Sequence, residues 1–558
     1  MKRLTAIGAV LAAGVLAAAC GSSASSSSGG GGSSGGPSGI LTISNESGQQ
    51  WSCQFNPLNP NDQFLAFGPI YEPLAFVNTL QNGTAKPWLA SSWNWTNGNK
   101  TLTFTIKSGV KFSDGTPMTA KDVAFTFNLL KKFPALDLNA IWSVLSSVTQ
   151  QGSNQVVMQF KAAAVPYFYY IADQVPIVPE HIWSTIANPV TYTDTQPVGT
   201  GAFTVSPCTG QQITYKANKN YWQPGEPKVA QVNYPAFTSN DPANTYLATG
   251  QAQWGSQYIP GIQKFYLDKS SDNHIWFPPI ANVSMFINLK NSLLGNVAVR
   301  QAMAYAINRN QVSQTGESGY EPASNQTGIV TPTFSAWQDT SAAAPYSGYA
   351  YNPAKAMQIL TSAGFKKNSS GIFTSPSGQP LSFSIINIGG YSDWVASVQV
   401  IQQDLKAIGI SITPQNLGTT DYNTKLYNGN YQLAYGSETG GPTPYYEMRQ
   451  WLYSKNSAPI GKQASSNWER YSSPATDALI NQYGSTTSTS TQHQIVNKLQ
   501  QVMLKDVPVI PVTEEVDWYQ YSTSHFTGWA TPQDPFAQPA AYSSPDWGQM
   551  LLHLAPAK

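Results

Sequence analysis

Five histidines, His181, His274, His493, His525 and His553, are the side chains best suited to proton transfer or metal ligation near neutral pH, and their spacing fits neither task. No G-x-S-x-G nucleophile elbow and no phosphate-cradling P-loop occurs. Glu514 and Glu515 are adjacent carboxylates, but neighbours on a strand point to opposite faces, which suits a solvated edge better than an acid/base pair. These patterns do not read as an enzyme, and neither a cofactor nor a metal is expected. The chemistry on offer is aromatic. Sixteen Trp and twenty-nine Tyr exceed what a core needs, because a buried indole N–H or phenol requires a hydrogen-bond partner. Trp254, Trp276, Trp394, Trp451 and Trp518 fall near the ends of expected elements and are candidate ligand-binding residues, whereas Trp88, Trp93, Trp95 and Trp222 sit inside turn and strand patterns and read as structural.

The N-terminus carries an address. Lys2 and Arg3 precede an apolar run from Leu4 to Ala19, shorter than the roughly 20 residues that span a bilayer, and the run ends in small residues. Leu16-Ala17-Ala18-Ala19-Cys20 is similar to a lipobox, with Leu16 four residues before the cysteine rather than three. Cys20 is therefore the expected lipidation site, and the location extracytoplasmic, anchored by lipid to the outer or periplasmic face of the cell membrane. The alternative is an ordinary signal peptide with a chance cysteine. From Gly21 to Gly39 the chain is nearly all Ser and Gly, a flexible tether with a span of about 25 Å. Cys53 and Cys208 remain, and in an oxidising compartment they are expected to pair, with two free buried thiols as the alternative. A bridge between them closes a loop of roughly 150 residues, with about 5 kcal/mol of stabilisation in the chain-entropy model.

At 558 residues the chain is long enough for roughly three domains. Only 11% of residues are charged and the formal net charge is +1, so no basic field exists to hold a phosphate backbone, and nucleic acid is excluded as a partner. The elements that must position the aromatic rings can be read in order. Ile40 to Ser44 alternates as a first strand, and the prolines of FNPLNP, Phe55 to Pro60, forbid helix. Trp93 and Trp95 alternate with polar residues, Asn97-Gly98 supplies a tight turn, and Leu102, Phe104 and Ile106 return as a second strand. Thr119 with Asp122 makes a short capping box for a helix whose apolar face is Val123, Phe127 and Leu130. Val156 to Phe160 alternates as a further strand, Tyr215 to Trp222 and Val229 to Tyr234 read as paired strands, and Tyr246 to Trp254 as a helix stopped by Gly250. Ser284 to Leu289 reads as a strand, and Val299 to Arg309 as a helix burying Val299, Met303, Ala306 and Ile307. A second amphipathic helix covers Tyr351 to Phe365. A βαβ unit follows from Leu381 to Ile412, its helix burying Val398, Ile401 and Leu405, and the helix Ile495 to Leu504 with the strand Val509 to Thr513 closes the alternation.

Several of these stretches carry recognisable wording. Lys86 to Leu130, YEPL at Tyr71 to Leu74, PVGTGAF at Pro197 to Phe203 and VRQAMAYAINR at Val299 to Arg309 resemble the bacterial extracellular solute-binding proteins of family 5, the oligopeptide, dipeptide, nickel and oligosaccharide receptors of ABC importers. Ala202 and Asn308 depart from the commoner proline and aspartate. The resemblance runs from about Ile40 to Leu554. It implies an α/β fold, a periplasmic-binding-protein type II-like clamp of two lobes with an extra inserted subdomain. The expected division is a signal peptide over 1–20, the tether over 21–39, a discontinuous base domain over 40–75, 200–298 and 510–558, an inserted small domain over 76–199, and a third α/β domain over 299–509. Both cysteines then lie inside the base domain.

The function implied is that of a monomeric substrate-binding lipoprotein, which captures an oligosaccharide or oligopeptide between lobes and delivers it to ABC permease subunits in the membrane. The alternative is a surface receptor, adhesin or sensor with no part in transport. Peptide-binding members carry an aspartate, in a W-x-x-D-Y-like run, that pairs with the ligand's amine. The corresponding run here, Leu433 to Tyr446, has no aspartate. Glu438 could substitute, with Tyr445 and Tyr446 beside it as further ligand candidates. The Gly, Thr, Pro and Tyr content of the run, and Gly528-Trp529-Ala530-Thr531-Pro532 later, are more similar to the cello-oligosaccharide-binding branch and suit an uncharged ligand.

Overall fold

Asn97, Gly98 and Asn99 all take positive φ, at 52°, 61° and 63°, and turn the chain between Ala90–Thr96 and Thr101–Ile106, with Trp95 opposite Leu102. The computed structural model describes residues 36–45, 48–81, 83–438 and 440–558. Cys20 and the Ser/Gly stretch as far as Gly35 lie outside the described residues. The hairpin is half of a larger unit: Gln155–Phe160 pairs with its second strand and Leu145–Gln151 with Gln155–Phe160, giving a four-stranded antiparallel sheet, here sheet C. The helix Ala120–Lys132 starts at the expected capping box, where Thr119 Oγ1 accepts from Lys121 N and Asp122 Oδ2 accepts from Thr119 N at 2.9 Å. Val123, Phe127 and Leu130 are buried.

Two other sheets complete the frame. Sheet A has seven strands, in the order Asn273–Ile275, Gln520–Ser522, Trp254–Gly255, Ser38–Ser44, Val229–Pro235, Gln212–Ala217 and Phe203–Cys208. Sheet B has five, in the order Ser411–Leu417, Ser382–Ile388, Leu433–Ser437, Pro279–Ile287 and Val509–Val516. Strand pairing thus places Pro279–Ile287 and Val509–Val516 with the third α/β segment, whereas the expected division put 200–298 and 510–558 in the base. Each strand lies wholly in sheet B next to a crossing between sheets, and the sequence shows a strand there without showing which neighbour it hydrogen-bonds.

The βαβ unit is Ser382–Ile388, helix Ser392–Ala407 and Ser411–Leu417, with its two strands parallel and in register from Ser382 opposite Ser411. Val398, Ile401 and Leu405 are fully buried, each side chain contributing about 2 kcal/mol of transfer free energy. They share a core with Val299 and Met303 of helix Val297–Ala306. That helix ends earlier than its periodicity suggests, because Asn308 Oδ1 accepts from Gln311 N and caps a new turn. The helix expected over Tyr246 to Trp254 is Asn240–Ala248, closed by Gly250 N donating to Leu247 O, and Trp254 belongs to a strand.

The motif wording has a physical origin. A Cβ on Gly199 would meet Ile70 O at 2.0 Å and one on Gly201 would meet Pro69 O at 2.2 Å, so the two glycines let 199–201 lie against the backbone preceding YEPL. Glu72 of that motif is buried and accepts from Trp88 Nε1, Tyr221 OH and Trp222 Nε1 at 3.0, 2.9 and 2.9 Å. One carboxylate thus joins the entry to sheet C to the turn beyond Gln212–Ala217. Cys53 and Cys208 are joined as a disulfide, 155 residues apart in sequence. Removing the Glu72 acceptor strands three partly buried donors, so Glu72→Ala is expected to lower stability by about 3 kcal/mol or more in urea unfolding. Glu72→Gln, which keeps one acceptor oxygen, is expected to lose less.

Candidate interlobe binding site

The chain crosses from sheet A to sheet B at 276–278 and back at 517–519, between Asn273–Ile275 and Pro279–Ile287 and between Val509–Val516 and Gln520–Ser522. The crossings run side by side: Trp276 N donates to Tyr519 O at 3.1 Å, and Asp517 N to Pro278 O at 2.9 Å. Two of the candidate tryptophans, Trp276 and Trp518, therefore sit on the connection between the sheets. Trp518 packs edge-on to Tyr258 and Phe277 at ring separations of 5.5 and 5.0 Å, and Trp276 keeps accessible surface.

The sides of the two sheet units meet further along. Ser392 N donates to Asn240 Oδ1 at 3.0 Å, Ile262 N donates to Tyr320 OH at 3.3 Å, and Tyr258 and Ser318 share a hydrogen bond of 2.5 Å. Trp394, in the first turn of helix Ser392–Ala407, stands edge-on to Tyr391 and Tyr435 at 5.2 and 5.8 Å and also keeps accessible surface. Asn387 is fully buried at the end of Ser382–Ile388, on the side of Ile385, and neither of its amide atoms has a hydrogen-bond partner among the described residues.

Carboxyl groups collect on the same side. Glu515 accepts from Ser437 Oγ at 3.0 Å. It is half-buried, and burial raises its carboxyl to about 8. Glu317 accepts from Ser397 Oγ at 2.7 Å and Glu321 from Thr513 Oγ1 at 2.7 Å, and the second oxygen of each lacks a partner among the described residues. Desolvation, then neighbouring carboxylates, hold both well above the ordinary range, and burial raises Asp393 to about 7. Of this cluster the sequence points only to Glu515, and reads it with Glu514 as a solvated edge, whereas Glu515 is half-buried and Glu514 is buried. The charged letters at 317, 321 and 393 lie 122 or more positions from their partner at 515, and only the fold brings them together.

The other candidates are placed differently. Trp254 is fully buried between strands of sheet A, with Nε1 donating to Pro539 O at 3.0 Å. Trp451 is fully buried in helix Pro444–Leu452 against Gly328. Tyr445 stacks on Tyr483 at 3.8 Å, and Tyr446 OH donates to Pro166 O at 2.7 Å. These four rings hold elements together and offer no open face in this conformation, because each is enclosed by the element that flanks it. Glu438 follows Leu433–Ser437 directly, is 4% exposed, and has neither oxygen hydrogen-bonded among the described residues. Desolvation, with Glu469 and Glu447 adding like charge, pushes its carboxyl well up. Among the described residues no cluster of His, Cys, Asp or Glu is arranged to hold a metal ion, and no helix is long and apolar enough to cross a membrane.

Comparison with known proteins places this architecture. The family model described as Bacterial extracellular solute-binding proteins, family 5 Middle, matches residues 84–459. The Nickel-binding periplasmic protein of Escherichia coli (strain K12) is 25% identical over 417 residues, 70% of this chain and 75% of that protein. The mannohexaose-bound periplasmic oligopeptide-binding protein of an oligopeptide ABC transporter from Thermotoga maritima superimposes with a TM-score of 0.87 at 26% identity, covering 93% of this chain and 98% of that one. The oligopeptide-binding protein AppA of Bacillus subtilis, in complex with a nonapeptide, gives 0.80 at 21% identity, covering 94% and 100%.

The raised carboxyls have a consequence for stability. A carboxyl whose folded value of about 7 to 8 exceeds its ordinary value of 3.8 or 4.5 binds more protons folded than unfolded. Its contribution is complete below pH 3.8 to 4.5 and is lost as pH rises through 7 to 8. The ligand-free protein is therefore expected to melt at progressively lower temperature from pH 5.5 to 8.5 in calorimetry. Glu515→Gln is expected to flatten the upper part of that decline. A melting temperature that rises across the interval contradicts the account.

Proposed function

The chain belongs to the bacterial extracellular solute-binding proteins of family 5, and we propose that it is the extracytoplasmic substrate-binding lipoprotein of an ABC importer, taking an uncharged oligosaccharide between its lobes. In this reading sheet A is the base lobe, sheet B the closing lobe and sheet C the inserted domain, and the paired crossings at 276–278 and 517–519 are the hinge. Ligand drives closure because it binds the closed arrangement better than the open one.

The observation that carries the ligand class is the wall on which accessible Trp394 stands beside fully buried Asn387, Tyr435 and the carboxyl of Glu515. An aromatic face suits the C–H face of a sugar ring, and amide and carboxyl groups suit the hydroxyls on its edge. The mannohexaose-bound relative supports the same class. A second reading rests on Glu438. Its two unpartnered oxygens follow the strand Leu433–Ser437 at the place where peptide-binding members carry their amine-pairing aspartate, and they would suit a peptide's ammonium group.

Thermal-shift screening of cello-, xylo- and manno-oligosaccharides beside a tri- to pentapeptide library separates the two, since a ligand at a hundred times its Kd stabilises by about 2.7 kcal/mol. Sugars are expected to raise the melting temperature. A rise with peptides alone, abolished by Glu438→Gln, selects the second reading. For the anchor, Cys20→Ala is expected to release the protein from washed membranes, and retention after a high-salt wash rules out lipidation at that residue.

A further inference from the structure

The four described arginines, Arg300, Arg309, Arg449 and Arg470, are all buried, and each donates to main-chain carbonyls. Arg449 lies over the rings of Tyr167, Tyr170 and Tyr453 and is enclosed by aromatic faces. The described lysines are exposed, apart from Lys107, which stands over the Trp222 ring, and Lys425 in helix Thr419–Asn428. Among the described residues no cation stands out beside Glu317, Glu321, Asp393, Glu515 or Asp517, whose charged neighbours include one another, Glu447 and Asp546. Three of the five sit on the elements through which the lobes touch: Glu317 precedes Ser318, Asp393 follows Ser392, and Asp517 lies on a crossing. Asn387, fully buried with both amide atoms unpartnered among the described residues, stands by strand register next to Tyr435, the ring that accessible Trp394 packs against, and is an independent sign of a ligand's polar groups.

We propose that the interlobe space selects by charge: it accepts neutral hydroxyl-bearing groups and cations and rejects carboxylates, with Glu515, Glu317 and Asp393 as the specificity-determining residues. An anion entering here loses its hydration without meeting a countercharge, and any ionised wall carboxyl repels it. A cation gains a partner by displacing a proton from the wall. The proposal rests on ligand lying between the lobes, but not on the ligand being a sugar.

The test uses the intact mature protein and two matched probe sets, read by calorimetry at pH 6.5. The first set is cellotetraose, its aldonic acid and a glucosamine tetramer; the second is one pentapeptide as the free acid and as the C-terminal amide. In whichever set binds, the carboxylate-bearing probe is expected to bind at least about a hundredfold more weakly than its neutral or amidated counterpart. Glucosamine binding is expected to release protons, seen as a buffer-dependent heat, whereas cellotetraose binding is not. Glu515→Gln is expected to weaken the glucosamine tetramer about tenfold more than it weakens cellotetraose, and equal losses for the two probes count against the charge rule. Binding by peptides alone overturns the oligosaccharide reading and leaves the charge rule to be decided on the amide and the acid. Equal affinity for acid and neutral probes overturns the charge rule, and binding of no probe overturns the interlobe site on which it rests.

Discussion

Two short segments, 276–278 and 517–519, carry the chain between its two main sheets, and the hydrogen bonds between them fix one end of everything that lies in the space between. Backbone groups there cannot be left unpaired away from water, so each crossing satisfies the other, and the pair behaves as a two-stranded strap. Trp276 and Trp518 are held at this strap, and Glu515 and Asp517 flank Val516 at its mouth. The aromatic and acidic character of this region follows from which residues the strap happens to carry.

Most elements were legible because their signals are local. The Asn97-Gly98 turn, the Thr119 and Asp122 capping box and the βαβ unit around Val398, Ile401 and Leu405 each depend on residues within a dozen positions, and each is present. The membership of Pro279–Ile287 in sheet B was not legible, since an alternating strand looks the same whichever sheet it joins. The aromatic candidates divided for a related reason. Position near an element's end distinguishes a ring from the middle of a helix, but Trp254 lies in a strand flanked on both sides and Trp451 against Gly328, where the third dimension supplies the cover. The carboxyl cluster as a whole gave no signal, because its members come from a turn, a helix and a strand far apart in the chain.

Charge is distributed in an unusual way for an interior. Arginines are spent on carbonyls, lysines lie mostly outside, and the carboxyls of Glu317, Glu321 and Glu515 are left inside with hydroxyl partners. Burial of this kind costs stability unless the groups are neutral or meet a partner, and proteins tend to tolerate such costs where a site is used. Glu72 shows the contrasting arrangement. Its carboxyl is equally buried, yet two indoles and a phenol surround it, and it serves as a structural tie.

The disulfide has a bearing on solubility as well as on folding. Phe203–Cys208 is the rim strand of sheet A, and a rim strand presents unpaired amides and carbonyls to any other extended chain it meets. Pro207 removes one donor from that rim, and the bond to Cys53 pins its last residue to the segment that follows Ser38–Ser44. Under reducing conditions the rim loses its clasp while the rest of the sheet still holds, so the first symptom of reduction should be self-association through this edge, ahead of any loss of the fold.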